Sequence, residues 1–255
     1  TIIRAPTRDA PTPCGVTSLR HSVDPVNTQL LLQETNQAYN TEINDILIAA
    51  LGMSLSDWSN NPAVLINMEG HGRENILDNT DIARTIGWFT SSYPVLINME
   101  GKKGLAEIIK HTKDYLHTIP QKGIDYGIIR YLSDRGGNLS NITPSISFNY
   151  LGQFDMNPSG QETDSNTVEF LPLGTSSENK RYFDIDINAI VSGGQLHIDF
   201  NYSREVYEVD RMHQLINIFG QNLTDIITHC KNKDDTEYTL SDYTSKDIDE
   251  EEFGN

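Results

Sequence analysis

The sequence predicts an α/β fold in which helices pack on a mixed sheet. Three observations predict this class. Apolar residues recur at helical spacing after Thr41, short runs rich in Val, Ile and Leu have the length of strands, and Ser192-Gly193-Gly194 is typical of a hairpin turn. Helices come first, strands and helices follow, and a hairpin and a closing helix come last. This order predicts at least one antiparallel strand pair.

The first residues are predicted to be irregular and then helical. Three prolines restrict the backbone near the start: Pro6, Pro11 and Pro13. Residues 1–24 are therefore expected to be an irregular connecting segment. Asp24 and Pro25 are residue types that favour the N-cap and the first helical position, so a first helix is predicted to begin there.

A second helix is predicted from Thr41 to about Trp58. Its apolar residues follow the i, i+3, i+4, i+7, i+8 spacing of one helix face: Ile43, Ile46, Leu47, Ala50 and Leu51. Further helices are predicted over 105–119, 125–132 and 209–229. Strands are predicted over 64–69, 93–97, 145–152, 168–171, 183–191 and 195–202, and residues 86–90 also have strand character before an interruption at Pro94.

One heptapeptide occurs twice. Val64 to Gly70 is repeated residue for residue as Val95 to Gly101, a spacing that raises the question of a solenoid. Nothing else recurs at that spacing, so we interpret the two copies as two strands with similar requirements for burial.

Charge excludes some classes of partner. The chain has 36 acidic and 19 basic residues and a formal net charge of −17. Nucleic acid requires a basic surface, and so does an anionic membrane, so neither is expected as a partner. No apolar run approaches the roughly 18 residues of a spanning helix. Without a secretory signal, and with only Cys14 and Cys230, the sequence predicts a cytoplasmic protein without disulfides.

The acidic residues are concentrated at the C-terminal end. Residues 234–255 hold nine acidic residues and one lysine, with few large apolar groups. This composition predicts an interdomain linker or tail. The domain is accordingly expected to occupy residues 25–233.

The segment from Glu69 to Glu74, Glu-Gly-His-Gly-Arg-Glu, is the first candidate site. A carboxylate at a strand end is well placed for acid/base chemistry, and glycines allow a ligand to approach the backbone. The alternative is a polar turn in which Arg73 pairs with Glu69 or Glu74. In the strand-turn interpretation His71 lies on the turn.

Asn149 and Tyr150 form the second candidate site. They are polar groups in an otherwise apolar strand, so they belong either to a site or to a hydrogen-bonded core network. Because successive strand side chains point to opposite faces, we expect only one of the two to face a site shared with Glu69. The sequence has no glycine-rich phosphate loop, no histidine pair at metal spacing and no Cys–His nucleophile pattern, so no metal or cofactor of its own is predicted.

These segments together resemble the epimerization domains of nonribosomal peptide synthetases. Five segments carry the resemblance, in this order: Asn44–Leu51, Glu69–Glu74, Arg84–Pro94, Pro120–Gly127 and Phe148–Gln153. The similarity spans roughly residues 25–230. Condensation domains share the fold, but Glu-Gly-His-Gly-Arg-Glu and Phe-Asn-Tyr-Leu-Gly-Gln point to the epimerization branch. Residues 238–243 also look like the linker that follows such domains.

The resemblance implies a fold and an activity. The fold would be a chloramphenicol-acetyltransferase-like sandwich, the C-terminal subdomain of a pseudo-dimeric domain. The activity would be L-to-D inversion at the α-carbon of an aminoacyl or peptidyl thioester on the 4′-phosphopantetheine of a peptidyl carrier protein. Glu69, Arg73, Asn149 and Tyr150 match the family's catalytic motifs. Arg73 would orient Glu69 or stabilise the developing enolate.

The resemblance covers half of such a domain. The family's His-His-x-x-x-Asp-Gly motif belongs to the N-terminal half, and this chain has no adjacent histidine pair. The N-terminal half is therefore an expected partner, and the chain by itself is expected to be inactive. Two alternatives stay open: a condensation-type acyl transferase half, and a non-catalytic module that docks the carrier protein.

Overall fold

The fold is a six-stranded mixed sheet with helices on one face. The computed structural model describes residues 16–74, 76, 81–82, 84–134, 136–139, 142–154 and 181–243. Within these residues the strands are β1 (Val16–Ser22), β2 (Ala63–Gly70), β3 (Ser91–Asn98), β4 (Ile146–Gln153), β5 (Ile185–Ser192) and β6 (Gln195–Ser203). The helices are α1 (Pro25–Gln33), α2 (Ile43–Ser59), α3 (Leu105–His117), α4 (Ile124–Leu132) and α5 (Val209–Lys231).

The sheet combines parallel and antiparallel pairs. Its strand order is β1-β6-β5-β4-β2-β3. Strand β4 runs parallel to both β2 and β5, whereas β1–β6, β5–β6 and β2–β3 are antiparallel. The predicted mixed sheet and antiparallel hairpin are thus confirmed. Gly193 and Gly194 form the hairpin turn with φ of 57° and 74°, as a primed turn requires.

The helices begin where the sequence predicts. The Asp24 side chain accepts hydrogen bonds from the backbone N–H groups of Val26 and Asn27, both at 3.0 Å, which caps α1. At the start of α2, the Asp45 carboxylate accepts a hydrogen bond from the Glu42 backbone N–H at 2.7 Å and closes a capping box.

The core lies between the helices and one face of the sheet. Strand residues that alternate along each strand supply the sheet side of this core, among them Val64, Ile66, Phe148, Ile187 and Phe200. Buried residues of α1, α2, α3 and α5 supply the other side. The opposite sheet face carries the polar strand residues.

Two predictions about the strands are corrected. Residues 16–22 are not irregular: they pair with β6, and their side chains alternate in exposure. The alternation starts after the last proline, where the backbone is free to pair. Residues 86–90 do not form a strand, and β3 instead passes through Pro94. Because β3 is an edge strand, the N–H that proline lacks is not needed for pairing. The predicted strand 168–171 lies outside the described residues.

The repeated heptapeptide forms two antiparallel neighbours. Ile66 lies opposite Val95 in the register of β2 and β3. Both copies bury the same alternate positions, which confirms that their burial requirements are similar. Because the strands are antiparallel, the two glutamates of the repeat, Glu69 and Glu100, lie at opposite ends of the pair.

The C-terminal segment also differs from the expectation. Residues 237–243 pack on the helical side of the domain, and Leu240–Asp242 form a 3₁₀ turn. Thr239 is buried. The composition of this segment suggests a linker, but its polar side chains find partners on the domain.

Candidate functional site

Glu69 lies at the end of β2, on the sheet face opposite the helices. The register of β2 and β4 pairs Met68 with Phe148, and its continuation places Glu69 beside Asn149. The Asn149 Nδ2 atom donates a hydrogen bond to Glu69 Oε2 at 2.8 Å. The structure therefore brings together two of the four predicted site residues, which are 80 positions apart in the sequence.

Two polar rows cross the sheet at this place. The strand registers put Glu69 in one row: Ser92, Glu69, Asn149, Asn188, Asp199 and Arg20. A second row lies two residues away along the strands: Asn67, Ser147, Asp186, Asn201 and Ser18. The helices cover the other face of the sheet. The polar rows therefore lie on the face that these helices leave uncovered, where a polar substrate can bind.

The Glu69 carboxyl is half-buried, and its environment favours the protonated form. Burial, the larger effect, and the negative charge of Asp186 both raise its pKa above the ordinary value. A carboxyl with a raised pKa exchanges protons more readily near neutral pH.

Asp186 is a further candidate for the site that the sequence did not single out. It lies on β5 in the second polar row, and Arg181 Nη2 donates to its Oδ2 at 2.7 Å. Burial is the largest effect on the pKa of Asp186 and raises it, while the charge of Arg181 opposes that rise. The alternation Asp184, Asp186, Asn188 in the predicted strand was the available signal. Its relation to Glu69, however, depends on the strand order.

Arg73 does not pair with Glu69 or Glu74 among the described residues. Its Nη1 atom donates to the Ile82 carbonyl oxygen at 2.5 Å, and its guanidinium lies 4.3 Å from the centre of the Phe89 ring. The predicted ion pair of Arg73 with Glu69 or Glu74 is thus not formed among the described residues, and the role of Arg73 toward Glu69 or an enolate stays a prediction. Arg73 instead holds the loop that leads into β3.

Both ring nitrogens of His71 contact residues of its own turn. Its Nδ1 atom accepts a hydrogen bond from the Arg73 backbone N–H at 2.9 Å, so the proton of the neutral ring lies on Nε2. Nε2 is 3.1 Å from Glu74 Oε1. With both nitrogens engaged, the neutral imidazole has no free lone pair for a substrate proton.

Tyr150 faces away from Glu69. As strand alternation predicts, only Asn149 shares the Glu69 face, and Tyr150 packs against the core on the helical side. Burial raises the pKa of its phenol, and this is a larger effect than its hydrogen bond with Gln153. This position indicates a structural role.

The loop before β3 has a different environment from the one its aromatic residues suggest. Tryptophan side chains are buried on average, but Trp88 is 90% exposed, and Ile86 is fully exposed. Phe89 lies beneath Arg73. The loop thus presents apolar side chains to solvent next to the Glu69 end of the sheet.

The described residues contain no group of three His, Cys, Asp or Glu side chains that could hold a metal ion. Among the helices of the described part of the chain, none is long and apolar enough to cross a membrane. Cys230 is buried, and burial raises the pKa of its thiol to about 12.

Sequence comparisons find large synthetases. Gramicidin S synthase 1 of Brevibacillus brevis is 42% identical over 239 residues, covering 89% of this chain and 22% of that protein. Tyrocidine synthase 1 of Brevibacillus parabrevis is 39% identical over 256 residues, covering 94% of this chain and 23% of that protein. The chain therefore spans only a small part of these relatives.

Structural comparisons agree with the sequence matches. The epimerization domain from the third module of tyrocidine synthetase B has a TM-score of 0.80 and 38% identity, over 92% of this chain and 54% of that one. A condensation domain of the enacyloxin polyketide synthase matches at a TM-score of 0.61 and 16% identity, over 89% of this chain and 44% of that one, a likeness of fold alone. The fold is thus chloramphenicol-acetyltransferase-like, as the resemblance implies.

The family profile agrees with both comparisons. The profile described as "Condensation domain" matches residues 17–248, which includes every strand and helix of the described structure apart from Val16, the first residue of β1. With the fold, the synthetase relatives and this match in agreement, the chain belongs to the condensation domain family of nonribosomal peptide synthetases.

Proposed function

We propose that this chain is the C-terminal half of an epimerization domain. Its reaction would invert the α-carbon of a carrier-bound aminoacyl or peptidyl thioester from L to D. The observation that carries this proposal is the Glu69–Asn149 pair, a half-buried carboxyl with a raised pKa held at the end of the sheet. The 38% identity to a solved epimerization domain supports it.

Glu69 would exchange the α-proton on one face of the substrate. The Cα–H bond breaks, the proton moves to the Glu69 carboxylate, and the electron pair passes into the thioester carbonyl as an enolate. A proton then returns to Cα from the opposite face. By resemblance, the second His of the family's His-His-x-x-x-Asp-Gly motif, in the N-terminal half, is the group on that face. Asn149 would orient Glu69 throughout.

The other two motif residues would act indirectly. Arg73 is engaged with the Ile82 carbonyl and the Phe89 ring, so it would position the loop beside the site. Tyr150 would support β4 from the core side, so that Asn149 keeps its contact with Glu69. Neither residue needs to touch the substrate in this scheme.

The proposal includes the partners of the reaction. The substrate would arrive on the 4′-phosphopantetheine of a peptidyl carrier protein in the cytoplasm, and this chain would need no cofactor of its own. The N-terminal half would complete the site, so the chain alone would be an inactive part of an amino-acid epimerase.

A condensation-type acyl transfer is the second candidate, because the matched family profile is that of condensation domains. The similarity to solved domains favours epimerization: 38% identity and a TM-score of 0.80 to an epimerization domain, against 16% and 0.61 to a condensation domain. A module that only docks the carrier protein is a third candidate, and the same experiment tests it.

The test uses this chain completed by a matching N-terminal half, supplied as a second chain or as a fusion. A carrier protein is loaded with an aminoacyl group deuterated at Cα. Loss of deuterium is followed by mass spectrometry, and the configuration of the released amino acid by chiral chromatography. We expect Glu69→Gln to reduce the exchange rate at least about 100-fold, the lower end of what general acid/base groups contribute.

Glu100→Gln is the matched control. Glu100 occupies the same position in the second copy of the heptapeptide but lies exposed at the other end of the strand pair. We expect it to leave exchange unchanged. Exchange that survives Glu69→Gln would remove the assigned role. Carrier binding without exchange would favour a docking module, and peptide-bond formation without exchange would favour condensation.

A further inference from the structure

The segment 237–243, here called the C-terminal strap, lies in a groove on the helical side of the domain. The Glu237 backbone N–H donates to the Ala38 carbonyl oxygen at 2.9 Å, in the turn before α2. The Glu237 side chain pairs with Lys110 of α3, and with Lys233 at 3.1 Å. Thr239 is 3% exposed. The strap therefore joins α3, the end of α5 and the turn before α2.

A buried ammonium group marks the centre of the groove. The Lys113 side chain on α3 is fully buried, and its Nζ atom donates to Asp242 Oδ2 at 2.5 Å and to the Tyr39 carbonyl oxygen at 2.9 Å. A buried charge is tolerated when it is paired and hydrogen-bonded, and removing one partner leaves the other uncompensated. Lys113 therefore requires the strap.

The Asp242 carboxylate is bound from three directions. Besides Lys113, it accepts hydrogen bonds from Asn40 Nδ2 at 2.6 Å and from the Thr239 backbone N–H at 2.7 Å. Asp114, next to Lys113 on α3, accepts from Thr239 Oγ1 at 2.6 Å and from the Ser241 backbone N–H at 3.1 Å. Two adjacent α3 residues thus bind both the side chains and the backbone of the strap.

We propose that this groove is an intramolecular binding site for the acidic segment 237–243, and that the folding unit extends through Asp242. The family profile continues past this segment, to residue 248. The packed part of the described chain then ends at Tyr243 and not at residue 233.

Hydrogen exchange of the full chain tests this proposal without any substrate, so its outcome is independent of the proposed function. We expect the strap amides of Thr239, Ser241 and Asp242 to be protected in the wild type. Asp242→Asn should raise their exchange rates at least about 10-fold, because the charged acceptor is lost. The matched control Asp235→Asn makes the same change at an exposed position just before the strap and should leave these rates unchanged.

A second variant covers the case in which Asp242→Asn unfolds the chain. Apolar side chains of similar volume can replace a buried ion pair, so the double variant Lys113→Met/Asp242→Leu should recover stability relative to Lys113→Met alone. Loss of protection throughout β5 and β6 in Asp242→Asn also supports an extended folding unit. The proposal is overturned if the wild-type strap amides exchange at the rate of a free peptide, or if neither Asp242 variant alters stability or protection.

Discussion

At the scale of single residues, the site depends on how charges are distributed around Glu69. Asn149 of the neighbouring strand β4 donates a hydrogen bond to the Glu69 carboxyl. Asp186 adds negative charge from β5, the strand beyond β4. Arg73 is nearby in sequence but is engaged by the loop before β3. No described ion pair joins Glu69 to a cation, and this leaves burial and Asp186 to set the direction of its pKa shift.

Substitution of Asp186 is expected to lower the pKa of Glu69. In Asp186→Asn the like charge is gone, so the Glu69 carboxylate becomes more favourable and its pKa falls part of the way toward the ordinary value, with burial still holding it up. A larger fraction of Glu69 is then in the base form at low pH. The acid limb of the pH–rate profile for α-proton exchange therefore moves to lower pH. Titration of the Glu69 carboxyl ¹³C signal measures the shift.

Asp199→Asn provides the comparison for that titration. Asp199 lies in the same polar row as Glu69 but three strands away, paired with Arg20 at 2.7 Å. We expect a smaller change in the Glu69 titration than in Asp186→Asn. Equal shifts in the two variants would contradict a specific effect of Asp186.

At the scale of elements, the turn after β2 places the motif by close backbone contact. Gly72 has a φ of 65°, and a Cβ atom at this position would lie 1.5 Å from the Phe89 carbonyl oxygen. Just before α4, Gly123 has a φ of 83°, and a Cβ there would lie 2.2 Å from the Tyr93 ring of β3. Two loops therefore approach the β2–β3 end through positions that need glycine.

Gly72→Ala is expected to displace the loop before β3 and to destabilise the domain. Alanine is strained at the positive φ and also clashes with backbone, so we expect a loss in the free energy of unfolding above about 1 kcal/mol. Gly101→Ala is the control, since Gly101 has a φ of 73° but a Cβ there meets nothing within 4 Å. Urea denaturation compares the two, and equal losses would show that the contact with Phe89 is unimportant.

At the scale of the whole molecule, the two faces of the sheet have different roles. One face shares the core with the helices, and the other presents the polar rows that contain Glu69. Large apolar side chains lie exposed around the molecule, including Ile86, Trp88, Tyr131, Leu132 and Tyr182. Of these, Ile86 and Trp88 lie two residues apart in the loop before β3, and exposed apolar groups that form one patch are typical of interaction surfaces.

We expect the chain alone to self-associate through such side chains, because association removes their apolar area from water. Sedimentation velocity over a range of concentrations measures this. Replacing Ile86 and Trp88 by Ser should shift the distribution toward monomer without altering the fold, since both side chains are exposed. A wild-type chain that remains monomeric at all concentrations would contradict the expectation.

The sequence by itself determined the α/β class, all five helices of the described residues, the β5–β6 hairpin and the family, because these follow from local spacing, caps and contiguous motifs. It also singled out Glu69, Arg73, Asn149 and Tyr150 as candidate site residues, of which the structure joins Glu69 and Asn149 by a hydrogen bond. Only the tertiary structure decided that Asp186 acts on Glu69, that Arg73 serves a loop, and that Asp242 neutralises Lys113. Each of these contacts joins residues that are far apart in the sequence. Strand order and the packing of distant segments bring them together, and the spacing of neighbouring residues in the sequence predicts neither.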